Sequence, residues 1–131
     1  MTATKKIGIW LDHSTAYLTE FTASTPFTQI VMNEFTHQSK INTMRKSEQT
    51  MHQKEQHEQH EFYHAIKNKI NTYTDILIIG PTNAKAELVN YLKEDHHFDA
   101  INIITKPADN MSIQEQQQYI QTIAQRIGGI E

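Results

Sequence analysis

The first third of the chain carries three short runs of strand-forming residues separated by polar turns. A mostly apolar run comes first, and two stretches rich in β-branched and aromatic residues follow it, a pattern typical of strands that pair with their sequence neighbours. The connections are short, which favours an antiparallel meander. The predicted strands are Ile7 to Asp12 (IGIWLD), Thr15 to Thr22 (TAYLTEFT) and Phe27 to Phe35 (FTQIVMNEF).

The middle of the chain consists of a segment without periodicity followed by a segment with a helical pattern. Residues Thr36 to Thr50 show no periodicity, which predicts a long polar loop. Residues Met51 to about Ile70 predict a long helix, but its first half, His52 to Glu61, contains no apolar residue. This half is therefore expected to project from the body, lie on its surface or meet another molecule. The stripe that packs on a sheet is confined to Phe62, Tyr63, Ile66 and Ile70.

The remaining chain alternates strands with helices. We predict a strand Asp75 to Ile79 closed by Gly80-Pro81, a helix Asn83 to about Asp95 capped by Thr82, a buried strand Ala100 to Thr105, and a last helix capped by Ser112. Helical crossovers make the last two strands parallel. The order β-β-β-α-β-α-β-α predicts one α/β domain, residues 1–131, with a mixed five-stranded sheet in the ribonuclease H-like arrangement.

Composition narrows the function classes. The 131 residues carry a net charge of -3, which excludes a globally basic nucleic-acid binder but leaves room for a local basic patch. The absence of cysteine excludes disulfides, thiolate zinc sites and cysteine nucleophiles, and it fits a reducing compartment. No signal-peptide core and no stretch long enough to span a bilayer are present, so we expect a soluble cytoplasmic protein without a membrane partner.

The segment His60 to His64 (HEFYH) matches the H-E-x-x-H pattern of zinc hydrolases. Helical geometry places His57, His60 and His64 on one stripe, roughly 130 degrees from the apolar stripe, so they are expected to face solvent rather than a catalytic cleft. A hydrated helix surface is therefore the favoured interpretation, ahead of a weak metal site on these three histidines and of a zinc hydrolase. We predict no cofactor.

A nuclease is a second enzymatic alternative, because ribonuclease H-like enzymes hold divalent metals on carboxylates at strand ends. Asp12 ends the first strand, and Glu55 or Glu58 lies on the long helix. The strand that ends in Ile79-Gly80-Pro81 lacks the further carboxylate. Asp12 is instead expected to cap the turn at His13-Ser14.

A local basic segment stands out in this acidic chain. The segment from Gln38 to Lys54 contains four basic residues and one acidic residue, Glu48, which gives it a local charge of +3. Such a segment beside a polar helix suits contacts with the phosphates of a nucleic acid, and a merely solvated loop is the competing interpretation. The candidate RNA-binding residues are Lys40, Arg45, Lys46 and Lys54.

Several stretches together resemble a known family. They include KKIGIWLD near the start, KEQHEQHEFYHAI on the long helix and IIGPTNAKAEL after the fourth strand. With this element order, the chain from Lys6 to about Ile127 resembles the middle domain of the archaeo-eukaryotic class I peptide-chain release factors, and more closely the small stand-alone bacterial relatives of that domain. The resemblance implies a ribonuclease H-like fold and a ribosome or an RNA as partner.

The resemblance also implies a catalytic loop that this chain alters. Release factors carry Gly-Gly-Gln between the third strand and the long helix, where they hydrolyse peptidyl-tRNA. The corresponding residues here are Ser47-Glu48-Gln49, and no glycine occurs between Gly8 and Gly80. Glycine there permits backbone conformations that Ser and Glu resist.

The favoured function is therefore translation-related and non-catalytic, with Gln49 as the candidate catalytic remnant. The alternatives are a hydrolase, either a residual peptidyl-tRNA hydrolase or a metal-dependent enzyme, and an interaction module whose polar helix docks a protein partner. The sequence leaves the oligomeric state undecided.

Overall fold

The computed structural model describes residues 5–20, 27–33 and 48–126, and within the helices and strands it does not describe the side chains of residues 27, 48–58 and 124–126. In this part of the chain, strands and helices follow one another in the predicted order.

Five strands form one mixed sheet with the order β3-β2-β1-β4-β5. The two hairpin pairs are antiparallel, and β1 pairs with β4, and β4 with β5, in parallel. This confirms the predicted α/β fold with its meander and its helix-linked parallel half. The strands are β1 (Lys6–Leu11), β2 (Thr15–Glu20), β3 (Phe27–Met32), β4 (Asp75–Gly80) and β5 (Asn102–Pro107).

Three α-helices and a short 3₁₀ helix accompany the sheet in the described residues. They are α1 (Glu48–Ile70), α2 (Ala84–Lys93), the 3₁₀ helix His96–Ala100 and α3 (Ile113–Arg126). Helix α3 begins with a reciprocal capping box, because the Ser112 hydroxyl accepts from the Glu115 amide at 3.1 Å and the Glu115 carboxylate accepts from the Ser112 amide at 2.9 Å. The predicted cap at Ser112 is confirmed.

The two faces of the sheet have separate hydrophobic cores. On one face, Ile9, Leu11 and Ile78 pack with the apolar side chains of α1 and α2. On the other face, Trp10 and Ile79 pack with Ile120 and Ile123 of α3. Strand residues such as Ile9 and Trp10 are buried on opposite faces because successive side chains of a strand alternate. Each fully buried large apolar side chain contributes roughly 1.5–3 kcal/mol to folding.

Two sequence predictions need correction. The apolar run Ala100 to Thr105 was expected to form a buried strand, but β5 is shifted by two residues and lies at the sheet edge with mostly exposed or half-buried side chains. An apolar run alone does not distinguish an edge strand from a central one. The expected loop ending at Thr50 is also too long, because α1 already begins at Glu48. Ser47 is a residue type favoured before a helix, and Glu48 favourably meets the helix dipole.

Across the described part of the chain, every helix is too short or too polar to traverse a lipid bilayer.

Candidate functional site

A cluster of polar side chains lies where the carboxyl ends of β1 and β3 meet the helices α1 and α2. The chain leaves β1 toward β2 on one side, whereas it leaves β4 toward β5 on the other. In open α/β sheets, ligands bind outside the carboxyl ends of the strands at such a reversal of direction. The cluster, called the polar cluster below, consists of His13, Asn33, Gln59, Tyr63 and Glu87.

Glu87 of α2 joins two elements of the polar cluster. One carboxylate oxygen, Oε1, accepts a hydrogen bond from the Tyr63 hydroxyl at 2.7 Å, and the other, Oε2, lies 3.2 Å from Nε2 of His13. The His13 and Glu87 side chains are each 43% exposed, so the pair is screened by water and contributes little to stability. The contacts do, however, tie the first turn of the sheet to α1 and α2.

Tyr63 is the buried member of this group, with 3% of its surface exposed. Burial raises the pKa of its phenol well above the ordinary value, and the hydrogen bond to Glu87 and the negative charge of that carboxylate act in the same direction. The phenol therefore stays protonated across the physiological range. It can serve as a hydrogen-bond donor but not as a base.

Asn33 connects the end of β3 to the turn and to α1. Its side chain is buried, and Nδ2 donates to the backbone carbonyl of His13 at 3.1 Å and to Oε1 of Gln59 at 3.2 Å. Its backbone amide donates to Ser14 at 2.8 Å. Asn33 is the last described residue before residues 34–47, and its bond to Gln59 ties the end of β3 to the middle of α1.

Asp12 performs the structural role predicted for it. Its Oδ1 accepts hydrogen bonds from the amides of Ser14 and Thr15, each at 2.8 Å. These bonds hold the tight turn between β1 and β2. One of the two oxygens of the Asp12 carboxylate is thus engaged with the backbone.

The strand-to-helix junction after β4 is likewise satisfied from within. The Thr82 hydroxyl accepts from the Ala84 amide at 3.2 Å, although the helix formally starts one residue after the predicted Asn83. The Lys85 ammonium donates to the carbonyls of Gly80 at 2.9 Å and Thr82 at 2.6 Å. Lys85 therefore closes the junction between β4 and α2 by hydrogen bonds to its backbone.

The histidines of HEFYH lie on the outer side of α1. His60 and His64 are exposed, whereas Tyr63 and Ile66 are buried, so the predicted orientation away from the core is confirmed for these two. Both approach Tyr91 of α2: Nδ1 of His64 lies 3.2 Å from its hydroxyl, and the His60 ring centroid lies 6.0 Å from its ring. These contacts explain the pair as part of the α1–α2 surface.

A metal site on the histidine stripe receives no geometric support. No three His, Asp or Glu side chains are grouped as metal ligands among those that the structure describes. The side chain of His57, the third candidate, lies outside the described residues.

The predicted RNA-binding residues fall mainly outside the described structure. Lys40, Arg45 and Lys46 belong to residues 34–47, which are not described. Lys54 and Gln49 belong to α1, but their side chains are not described. The position of Gln49 on the backbone is nonetheless informative, because it is the second residue of a helix and not part of an extended loop.

Comparison with known proteins finds similarity of structure but not of sequence. No protein-family model and no curated protein sequence matches the chain. Among solved structures, the Pelota protein of Thermoplasma acidophilum matches with a TM-score of 0.60 and 16% identity, over 90% of this chain and 32% of that one. At this low sequence identity, the match establishes similarity of fold alone.

Two further solved structures have a similar fold over most of this chain. Dom34 of S. cerevisiae, a translation termination-like factor involved in RNA quality control pathways that interacts with Hbs1, matches over 95% of this chain and 34% of its own, with a TM-score of 0.58 and 13% identity. The archaeal translation termination factor aRF1 matches over 93% of this chain and 39% of its own, with a TM-score of 0.52 and 12% identity. The chain therefore spans about a third of the length of these proteins.

Sequence reasoning missed most of the polar cluster. Asn33 carried a weak signal, a polar residue at the end of an apolar strand, but nothing in the pattern indicated its partners. His13 and Glu87 are 74 residues apart in the chain. Only the parallel pairing of β1 with β4 brings them together.

Proposed function

We propose that the protein is translation-related and release-factor-like, that it associates with the ribosome or with an RNA, and that it does not itself hydrolyse peptidyl-tRNA. The observation that carries this proposal is the match of nearly the whole chain to part of Dom34, a translation termination-like factor, and to part of aRF1, an archaeal translation termination factor. The stretches that resemble the middle domain of release factors add independent support.

The lack of catalysis is inferred from the residues at the start of α1. Where the release-factor domain carries Gly-Gly-Gln, this chain has Ser47-Glu48-Gln49. Glu48 and Gln49 lie in the first turn of α1. A helical backbone cannot adopt the conformations that glycine allows, and Glu48 adds a negative charge that RNA phosphates repel.

RNA contact is assigned to the basic residues that flank this point. Lys40, Arg45, Lys46 and Lys54 give the segment its positive charge within a chain of net charge -3. Phosphate contacts by Lys and Arg release counterions and make binding dependent on salt. Asn33 precedes this segment in the chain, and its hydrogen bond to Gln59 ties the end of β3 to the helix that follows the segment.

Ribosome co-sedimentation at graded salt tests the association. Replacing Lys40, Arg45 and Lys46 by Gln should weaken pelleting. It should also reduce the magnitude of the slope of log affinity against log salt concentration by about 2 to 3, because each lost phosphate contact removes roughly 0.7–0.9 from that slope. Replacing three exposed lysines on the body, Lys69, Lys93 and Lys106, is the charge-matched control and should leave pelleting nearly unchanged.

The proposal fails if the wild-type protein stays at the top of the gradient at low salt. It also fails if the two triple variants lose pelleting equally, since net charge rather than the basic segment would then be responsible.

A peptidyl-tRNA release assay on ribosomes tests the absence of catalysis separately. We expect no release above background at any protein concentration. Turnover that disappears in Gln49→Ala but persists in the control Gln53→Ala, one helical turn further along α1, would show that Gln49 is catalytic and would refute this part of the proposal.

A further inference from the structure

The edge strand β3 presents an apolar patch away from the polar cluster. Among the side chains that the structure describes, the large hydrophobic ones that are exposed are Ile30 at 50%, Met32 at 48% and Ile113 at 40%. Ile30 and Met32 alternate along β3 and so share one face of the sheet, the face covered by α3. This set of three is called the edge patch below.

The helix α3 places Ile113 beside the same strand. Gln117 of α3 donates to the Thr28 hydroxyl of β3 at 2.9 Å, and Ile113 lies one helical turn before it. Because α3 starts near the carboxyl ends of the strands and runs back along them, Ile113 lies toward Ile30 and Met32. The three residues of the edge patch therefore lie on the same side of the molecule.

The backbone of β3 is open on the same side. The Asn33 amide donates to Ser14 of the neighbouring chain segment, and hydrogen-bonded residues alternate in an antiparallel ladder. Val31 and Gln29 therefore bond to β2, whereas the amides and carbonyls of Thr28, Ile30 and Met32 point to the outer edge. No described strand pairs with them.

Two of the usual protections against strand pairing, charge and proline, are missing from the residues of this edge that the structure describes. Residues 27–33 contain no charged residue and no proline. The opposite edge, β5, carries Lys106 and Pro107 and exposes mainly polar side chains. Natural proteins protect exposed strand edges with such residues, so an unprotected edge with apolar side chains indicates a place where another strand pairs.

We propose that β3 pairs with the β3 strand of a second copy of this chain, forming a two-fold symmetric dimer with a continuous ten-stranded sheet. With the axis at Ile30, the outward-facing residues pair with one another: Ile30 with its counterpart, and Thr28 with Met32 of the partner. Every pair on the edge is then hydrogen-bonded. The uncharged strand is complementary to itself, because no like charges meet across the axis.

Sedimentation velocity over a concentration series tests the dimer. We expect a species of twice the 15.2 kDa chain mass that dissociates on dilution. Ile30→Lys places two ammonium groups next to each other at the axis and should yield monomer throughout, with an unchanged circular dichroism spectrum. Thr105→Lys, the matched substitution at the β5 edge, should leave the dimer intact.

A spin-label experiment keeps the edge patch unaltered. Because the chain has no cysteine, Gln29→Cys creates a single attachment site on an exposed position of β3, opposite to the patch. Labels there should show dipolar broadening in the dimer, and labels at Thr105→Cys should not. Three outcomes would each overturn the proposal. The wild-type protein could be monomeric up to about 1 mM, Ile30→Lys could leave the dimer intact, or labels at residue 29 could show no broadening.

Discussion

Gly80, the last residue of β4, is the position where a single methyl group should be most damaging. Its φ of +157° lies in the range that favours glycine, and a Cβ atom built there would lie 2.0 Å from the backbone carbonyl oxygen of Leu11. Real Cβ atoms do not approach other atoms closer than 3.0 Å. The Gly80→Ala substitution therefore has to push β1 and β4, the central parallel pair, apart at the end that bears the polar cluster.

The expected loss in the free energy of unfolding of Gly80→Ala is the sum of two costs. A strained backbone conformation costs of order 1–3 kcal/mol, and overpacking against a part that cannot yield costs about as much. The carbonyl of Gly80 also accepts hydrogen bonds from the Ala108 amide and the Lys85 ammonium, and displacement weakens both. We expect a loss of about 3–5 kcal/mol in the free energy of unfolding, a large part of the stability of a small domain.

Gly8 provides the matched control, since it lies on the neighbouring strand. The three atoms nearest to a Cβ there belong to the side chain of Ile120, at 2.5–2.8 Å, and a side chain of a packed helix can shift more readily than a backbone carbonyl within a sheet. Gly8→Ala should therefore cost about 1–3 kcal/mol.

Urea unfolding followed by circular dichroism measures both variants. With a typical m-value of about 2 kcal/mol/M, Gly80→Ala should lower the urea midpoint by about 1.5–2.5 M and Gly8→Ala by about 0.5–1.5 M. A Gly80→Ala protein within about 1 kcal/mol of wild type, or less destabilised than Gly8→Ala, would refute the reasoning.

Three further substitutions test the polar cluster and a helix cap. Tyr63→Phe should cost about 1–2 kcal/mol at neutral pH by removing the bond to Glu87. The wild-type free energy of unfolding should decline with increasing pH above about pH 10, where the phenol ionises in the unfolded but not in the folded chain. A pH series of urea titrations should show a shallower decline in Tyr63→Phe, and an unchanged slope would contradict the assigned pKa. Asn33→Ala should cost about 1–3 kcal/mol in urea unfolding and should weaken ribosome pelleting if it positions the basic segment. Ser112→Ala should cost about 1 kcal/mol, measured the same way, and should leave pelleting unchanged.

Local sequence carried most of the fold. The strands of the meander, the long helix and the helix-linked parallel strands were predicted from runs of apolar residues and from cap residues such as Ser112, because these signals act over a few residues. The orientation of His60 and His64 followed from helical geometry alone. The same reasoning indicated that Asp12 would cap its own turn.

Long-range contacts decided the rest. An apolar run has the same sequence pattern in an edge strand and in a central strand. The exposure of the β5 side chains is therefore decided by the order of the strands in the sheet. The meeting of His13 with Glu87, and of Asn33 with Gln59, required the pairing of segments that are far apart in the chain. The need for glycine at position 80 arises from the carbonyl of Leu11, which only the parallel pairing of β1 with β4 brings into contact. Sequence by itself thus determined which elements form and which way they run, and the tertiary structure decided which side chains and edges those elements bring together.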